Sequence, residues 1–291
     1  METPLRCNWD VILTNVIESS YENGYRLGFL WLDNDSSWLI EPISKMSFIP
    51  ISVLLSRFKL GNTKEPRSVP NRAPGMAKSP SSVEKIKILA ERMFAAAKGS
   101  HDWEHTLRVF RLCRRIGDAE RADMDVLLIA ACLHDIGRCY QDASNGRICH
   151  AEKGAELAEP LIRPLPLSEE RKQNILHCIR SHRFRGSGTP RTIEARVLFD
   201  ADKLDAIGAV GIGRAFLFAG EVGARLHNSH ANIDDTQPYS KEDTAYREYR
   251  VKLSKIKDRI LTNEGKRLAT DRDTYMVSFF DRFLSEYEGE K

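Results

Sequence analysis

The sequence predicts an all-α fold over residues 80–291, a bundle of helices that pack on one apolar core. Apolar residues recur there at the three- and four-residue spacing of amphipathic helices. No segment after residue 80 alternates convincingly between apolar and polar residues, as a half-buried strand would. A chain of 291 residues, of which 42% are hydrophobic, is also long enough to bury one substantial core.

The first 79 residues differ from the rest of the chain, and we expect them to be a leader and a linker. Residues 60–82 are a mixture of Pro, Ser, Arg and Lys that sustains neither a helix nor a strand. Residues 1–59 carry no steady period and no motif. Two interpretations stay open: an irregular or disordered extension of the gene model ahead of Met76, or a small accessory domain.

The helices after the linker are predicted from their caps, taken in order. Ser81 and Glu84 have the spacing of a capping box, ahead of a first helix that Gly99 ends. A second helix is expected over residues 100–116, and a third from Asp123 to Gly137, because glycine commonly follows a helix C-terminus. Further helices are expected over residues 150–161, 168–181 and 192–208, and in several segments between residues 241 and 287.

Charge, cysteine usage and hydropathy exclude several classes of function. The formal net charge is only +3 and both signs are interspersed, so no basic stripe indicates a nucleic-acid binder. The six cysteines contain no CxxC pair and are interpreted as reduced thiols. No apolar run is long enough to cross a bilayer, and the first residues lack the pattern of a signal peptide. We therefore expect a cytoplasmic protein. None of these observations excludes a small charged substrate.

One histidine lies on an apolar helix face. His105 shares a stripe with Val109, Leu112 and Ile116, at spacings of four, seven and eleven residues, so its imidazole is expected to face the bundle interior. Taken alone, a core histidine that is hydrogen-bonded to the backbone explains this position.

The dipeptide His134-Asp135 ends an otherwise apolar helix, VLLIAACL. A buried carboxylate without compensation costs on the order of several kcal/mol, and a cation is the simplest compensation. Near a helix end, both side chains can converge on one ion. The alternative is a purely structural pair, in which the aspartate is bonded to the histidine.

A second carboxylate is expected to face inward from the helix predicted over residues 192–208. Asp202 lies at the centre of an apolar stripe, whereas Asp200 points roughly the opposite way. The stripe consists of Ala195, Leu198, Ala206 and Ala209. We therefore choose Asp202 as the functional carboxylate. Asp200 and Asp205 are expected to be solvated or paired with neighbouring basic residues.

Together these residues predict a metal site with ligands His105, His134, Asp135 and Asp202. Two imidazoles and two carboxylates suit one divalent transition metal, Mn²⁺, Fe²⁺, Co²⁺, Ni²⁺ or Zn²⁺, and leave positions open for water and a phosphate oxygen. Such an ion activates its bound water, so hydrolysis needs no protein nucleophile.

The order of these residues resembles the H…HD…D signature of the HD superfamily, and the likeness covers about residues 80–291 but none of the leader. The segments that carry it are HDWEHTLRV (101–109), CLHDIGR (132–138), HAEKGAELA (150–158), IRSHRF (179–184), EARVLFDADKLDAIGAVGIGRAF (194–216) and KLSKIKDRILTNEGKRLA (252–269). They look like the stand-alone HD hydrolases of bacteria and archaea, some of which are pyrophosphohydrolases of nucleoside triphosphates. The resemblance implies a helical HD fold and hydrolysis of a phosphomonoester or phosphoanhydride.

His150 and His182 resemble the extra histidines that bind a second metal in some HD subfamilies, including the cyclic-dinucleotide phosphodiesterases. The pattern departs from theirs, because Arg183 replaces the second histidine of their HHE element and their GYP motif is missing. A second metal is therefore doubtful. We interpret both histidines as groups that bind phosphate or support the ligands, with surface-facing histidines as the alternative; His177, His227 and His230 are interpreted as structural or solvated.

Four cations near the proposed ligands are expected to bind phosphate oxygens of the substrate: Arg108, Arg138, Arg183 and Lys203. The expected function is metal-dependent hydrolysis of a phosphate ester or phosphoanhydride, foremost of a nucleotide, with His134 and Asp135 at its catalytic centre. One alternative is an HD module that binds a nucleotide without turnover. A remote alternative is a zinc peptidase, because His101, Glu104 and His105 spell HxxEH.

Overall fold

The computed structural model describes residues 80–94, 103–183, 188–228 and 233–291, which belong to one compact unit. These residues form α-helices and short 3-10 turns, with no strand among them, and the all-α prediction is confirmed. The leader, the helix end at Gly99, and His101 and His230 lie outside the described residues.

The helices are α1 (Ser82–Phe94), α2 (Trp103–Glu120), α3 (Met124–Leu133), α4 (Arg138–Ala143), α5 (His150–Ile162), α6 (Glu169–Ser181), α7 (Ile193–Leu204), α8 (Gly208–Glu221), α9 (Ala245–Val251) and α10 (Asn263–Tyr287). Short 3-10 turns cover Ile233–Asp235, Leu253–Lys255 and Lys257–Arg259. The capping box predicted ahead of α1 has its first bond, from the Glu84 amide to Ser81 Oγ at 3.2 Å. Among the described residues, no helix has both the length and the apolar content needed to cross a membrane.

Helix α3 lies at the centre of the bundle, in contact with α1, α2, α6 and α7. Its sequence, MDVLLIAACL, is apolar around nearly the whole helix, as expected of a helix that is buried on all sides. Asp123 caps its N-terminus by accepting a hydrogen bond from the Val126 amide, and Arg171 of α6 binds the same carboxylate. The C-terminal end of this central helix delivers His134 and Asp135 into the middle of the fold.

The predicted end of α3 at Gly137 is wrong, because the helix ends at Leu133 and a tight turn follows. Gly137 has a φ of −85° and precedes α4, so it is not the left-handed residue after a helix C-terminus. A Cβ atom at Gly137 would lie 2.6 Å from the Gly154 nitrogen and closer still to the His150 carbonyl oxygen. Glycine therefore allows the backbone of α5 to cross directly over the turn that carries His134 and Asp135.

The helix predicted over residues 192–208 ends earlier than expected, and α8, which follows it, was not predicted. Helix α7 starts after its N-cap Thr192, as predicted, but ends at Leu204, and Gly208 opens α8 with a φ of +77°. A non-glycine residue is strained at that angle. The short helix α4 was not predicted either.

The expectation that Asp200 is solvated or paired with basic residues is also wrong. Its side chain is fully buried and accepts hydrogen bonds from the Leu261 amide, the Thr262 amide and the Thr262 hydroxyl, at 2.9, 2.7 and 2.6 Å. Burial raises the pKa of Asp200 above its usual value. Asp200 therefore ties the N-terminus of α10 to α7, two residues before Asp202.

Candidate metal centre

Four buried histidines share one hydrogen-bonding pattern. In each ring Nδ1 contacts an oxygen acceptor, at 2.6 to 2.8 Å, and Nε2 points toward Asp135. The pairs are His105 with the Asp205 carboxylate, His134 with the Ala131 carbonyl, His150 with the Gln141 side-chain oxygen and His182 with the Ile179 carbonyl. A carbonyl oxygen only accepts, so Nδ1 carries a proton and a neutral ring presents the Nε2 lone pair.

Three of the four predicted metal ligands come together in one group. His105 Nε2 and His134 Nε2 lie 3.4 Å apart, and each lies 3.8 Å from Asp135 Oδ2. All three side chains are buried, with at most 2% of their surface exposed. One ligand atom from each lies within 4.8 Å of the others, so a single ion fits among them.

The fourth predicted ligand, Asp202, lies beside this group. Its Oδ1 is 3.4 Å from His105 Nε2, and its Oδ2 accepts a hydrogen bond from Lys203 at 2.6 Å. Although burial opposes it, Lys203 and His105 hold the pKa of Asp202 well below its usual range. Asp202 is thus an ionised carboxylate next to His105, on a side chain that is 19% exposed.

His150 and His182 complete a second group around the other oxygen of Asp135. Their Nε2 atoms lie 3.1 Å apart and 3.4 and 3.5 Å from Asp135 Oδ1. The alternative that these histidines face the surface is wrong, because 3% and 1% of their surfaces are exposed. Asp135 is shared by both groups, and each group has three side chains that could hold a metal ion.

Three of these rings differ in pKa, although all of them are buried and hydrogen-bonded at Nδ1. Burial lowers the pKa of His105, but hydrogen bonds to Asp202 and Asp205 outweigh it and raise the value to about 9. Burial lowers the pKa of His134 to about 4 and that of His150 to about 2. The site therefore contains neutral imidazoles on α5 and at the end of α3, and one imidazole on α2 that holds its proton when no metal replaces it.

The four predicted substrate-binding cations are placed differently from one another. Arg138 lies 3.5 Å from Asp135 Oδ2 and is 20% exposed. Lys203 donates to Asp202 and to the His182 carbonyl, at 2.6 and 3.1 Å. Arg183 contacts Cys149 Sγ at 3.2 Å, and Arg108 binds Asp205 through two nitrogens, at 2.7 and 3.1 Å. Arg138 is thus the predicted cation nearest to the shared carboxylate.

Asp205 is a residue of this site that the sequence did not reveal. It was expected to be solvated or paired with basic residues; the pairing is present, but the side chain is only 2% exposed and also contacts His105. Its position three residues after Asp202 on a helical end is the one available signal, because residues three apart share a helix face.

The other described histidines, His177 and His227, have partners outside this group. His177 Nε2 accepts a hydrogen bond from the Arg191 amide, and His227 packs among the rings of Tyr246, Phe283 and Tyr287. Glu104 of the HxxEH sequence is exposed. His105 instead faces His134, at the end of the next helix.

Known proteins resemble the chain over the part that carries this site. The model of the HD domain family matches residues 102–207. The chain is 31% identical to the uncharacterized protein YpgQ of Bacillus subtilis over 211 residues. The match covers 71% of this chain and 94% of YpgQ. The chain therefore belongs to the HD superfamily.

Solved structures agree with this assignment. The crystal structure of Bacillus subtilis YpgQ in complex with ADP matches with a TM-score of 0.55 and 29% identity, over 70% of this chain and 94% of YpgQ. A predicted HD superfamily hydrolase from an uncultured Thermotogales bacterium matches with a TM-score of 0.53 and 28% identity, over 71% of this chain and 94% of that protein. The chain thus has the fold of an HD-superfamily hydrolase.

Proposed function

We propose that the chain is a metal-dependent phosphohydrolase that cleaves a phosphate ester or phosphoanhydride of a nucleotide by means of an activated water. The observation that supports this most is the convergence of four Nε2 atoms on Asp135, with the Nδ1 atom of every ring engaged elsewhere. A core that only needed packing would not bury four imidazoles around one carboxylate, because buried polar groups cost free energy unless they have partners.

The donor atoms fit a divalent transition metal. His105, His134 and Asp135 offer two imidazole nitrogens and a carboxylate oxygen within 4.8 Å of one another, and Asp202 lies 3.4 Å from His105. This mixture suits Mn²⁺, Fe²⁺, Co²⁺, Ni²⁺ or Zn²⁺ better than Ca²⁺ or Mg²⁺, which prefer oxygen ligands. When bound, such an ion lowers the pKa of a coordinated water and polarises the P–O bond.

The other side chains of the site have roles that the ion does not supply. Lys203 orients Asp202 through its 2.6 Å hydrogen bond. Arg138 lies at the edge of the group and is placed to bind a phosphate oxygen. His150 and His182 face Asp135 through their Nε2 atoms, at 3.4 and 3.5 Å, and so support this ligand and line the space for the substrate phosphate.

A nucleotide is the substrate class that we propose, because YpgQ, which is similar over most of this chain, has been crystallised with ADP. The cations around the site are compatible with nucleoside triphosphates, nucleoside monophosphates and non-nucleotide phosphates alike. Release of phosphate or of pyrophosphate distinguishes cleavage of a monoester or terminal anhydride from cleavage between the α and β phosphates.

The test is an activity screen of the full chain against nucleoside tri-, di- and monophosphates and p-nitrophenyl phosphate, with Mn²⁺, Co²⁺, Ni²⁺ and Mg²⁺ in parallel. We expect turnover with at least one transition metal, and loss of that turnover in Asp135→Asn. Nucleotide binding without product release across the whole panel would instead favour a binding module, the alternative function considered for this sequence.

A further inference from the structure

Asp205 occupies the centre of a buried network behind the metal group. Its Oδ2 lies 2.8 Å from His105 Nδ1 and 2.7 Å from Arg214 Nη1, and its Oδ1 lies 2.7 Å from Arg108 Nε. Arg214 also donates to the Asp205 carbonyl oxygen, at 3.2 Å. Although burial opposes it, His105 and Arg108 hold the pKa of Asp205 near 2, so the carboxylate is ionised at neutral pH.

His105 needs such a partner for a reason that lies in its own helix. His134 and His182 follow the last residue of their helices, and each ring donates from Nδ1 to a carbonyl three residues earlier. His105 lies within α2, where the backbone carbonyl groups are used by the helix itself. An acceptor for His105 Nδ1 must therefore come from another helix, and Asp205, 100 residues away, provides it.

We infer that Asp205 is a positioning residue of the metal site: it fixes His105 with the proton on Nδ1 and presents the Nε2 lone pair to the ion. This inference rests on the proposed metal-dependent function. Arg108 and Arg214 hold Asp205 in place, so Arg108 acts through this network rather than on the substrate. The same contact joins α2 to the end of α7, and thereby sets the distance between His105 and Asp202.

The contact predicts a loss of metal affinity without a loss of any ligand. In metal sites, removing the group that hydrogen-bonds a histidine ligand typically lowers metal affinity by about 10- to 100-fold. Asparagine at position 205 keeps the shape of the side chain but removes its charge. The network would then hold two guanidinium groups with no anion between them, and the orientation of His105 would no longer be fixed.

The test compares Asp205→Asn with Asp200→Asn in the full chain, with Co²⁺ as the probe. Both variants remove a buried carboxylate from α7 or its end, but Asp200 contacts α10 and no proposed ligand. Co²⁺ affinity is measured by chelator competition, the ligand field by the visible absorption of bound Co²⁺, and the fold by circular dichroism. We expect Asp205→Asn to lose about 10- to 100-fold in affinity and to shift the absorption bands, and Asp200→Asn to keep both.

Arg108→Gln is the second variant, in case Asp205→Asn does not fold, because Arg108 is 28% exposed and its loss leaves the pair of Asp205 and His105 in place. We expect a smaller loss of affinity and a band shift in the same direction. Wild-type affinity and spectrum in Asp205→Asn, or in Arg108→Gln if only that variant folds, would overturn the inference while the proposed function stands. Failure of the wild-type chain to bind Co²⁺ would overturn both.

Discussion

His105 Nε2 and His134 Nε2 face each other at 3.4 Å, although 29 residues separate them along the chain. Each ring uses its Nδ1 atom elsewhere, so two neutral rings would point two lone pairs at the same space. Without a metal, a proton on His105 relieves this conflict, which agrees with its pKa of about 9. A metal ion between the two Nε2 atoms would remove the repulsion in the same way, so metal and proton compete for His105.

Metal affinity should rise steeply with pH. Because the pKa of His105 is raised to about 9 in the metal-free protein, its Nε2 holds a proton at pH 7 that an incoming ion must displace. Each proton displaced makes the apparent affinity rise about tenfold per pH unit, and for His105 this rise should continue from neutral pH to about 9 and then flatten. Titrations with Mn²⁺ in a competing chelator, at intervals from pH 6.5 to 9.5, measure the slope. A flat profile over this range would mean that His105 is not a ligand.

Asp135→Asn should remove the thermal stabilisation that metal gives to the wild-type chain. A ligand at 100 times its dissociation constant stabilises the folded state by about 2.7 kcal/mol, which corresponds to roughly 5 to 10 °C for a domain of this size. Melting curves of both proteins with chelator and with excess Mn²⁺ test this. Equal shifts in the two proteins would exclude Asp135 from the site, and His134→Ala should behave like Asp135→Asn.

Asp202→Asn and Asp200→Asn should separate function from stability. Asp202 lies beside His105, so its change should lower metal binding and activity and leave the fold largely intact. In Asp200→Asn the new amide nitrogen would face either the Leu261 amide or the two donors of Thr262, and each unsatisfied buried donor costs about 1 to 3 kcal/mol. Urea unfolding of both variants measures stability, and Mn²⁺ titration measures metal binding. Loss of metal binding in Asp200→Asn, with loss of stability in Asp202→Asn, would contradict the choice of Asp202 as the ligand.

Metal content should be one ion per chain, held by the group of His105, His134 and Asp135. His150→Ala and His182→Ala should then keep this ion and lose turnover, because these rings face the other oxygen of Asp135 and are not ligands of this ion. Metal analysis by mass spectrometry after gel filtration gives the stoichiometry. Two ions per wild-type chain, falling to one in either variant, would instead assign the group of His150 and His182 to a second metal.

The chain from Met76 to Lys291 should fold and keep full activity. Every residue of the proposed site and every described helix lies downstream of residue 80. Expression of this shorter chain beside the full chain, with circular dichroism and the phosphatase screen, tests the domain boundary. Aggregation of the shorter chain alone would mean that the first 75 residues complete the core.

The sequence predicted the helical fold and the convergence of His105, His134 and Asp135. A polar residue on an apolar helix face is buried, and it therefore needs a polar partner or an ion. It could not predict the role of Asp205, since hydrogen bonds between helices depend on how the helices pack. Asp200 was misjudged for the same reason: its helical phase was right, but α10 covers the side that was taken to be solvent.

The lack of a side chain at Gly137 sets the spacing between the two halves of the site. The turn that carries His134 and Asp135 touches the start of α5, where His150 is the first residue, with no room for a methyl group. The methyl group of an alanine at this position would push the start of α5, and with it His150, away from Asp135. No residue of the site itself would be replaced. Mutagenesis confined to residues with reactive side chains would overlook Gly137, although the space there does not admit even one additional carbon atom.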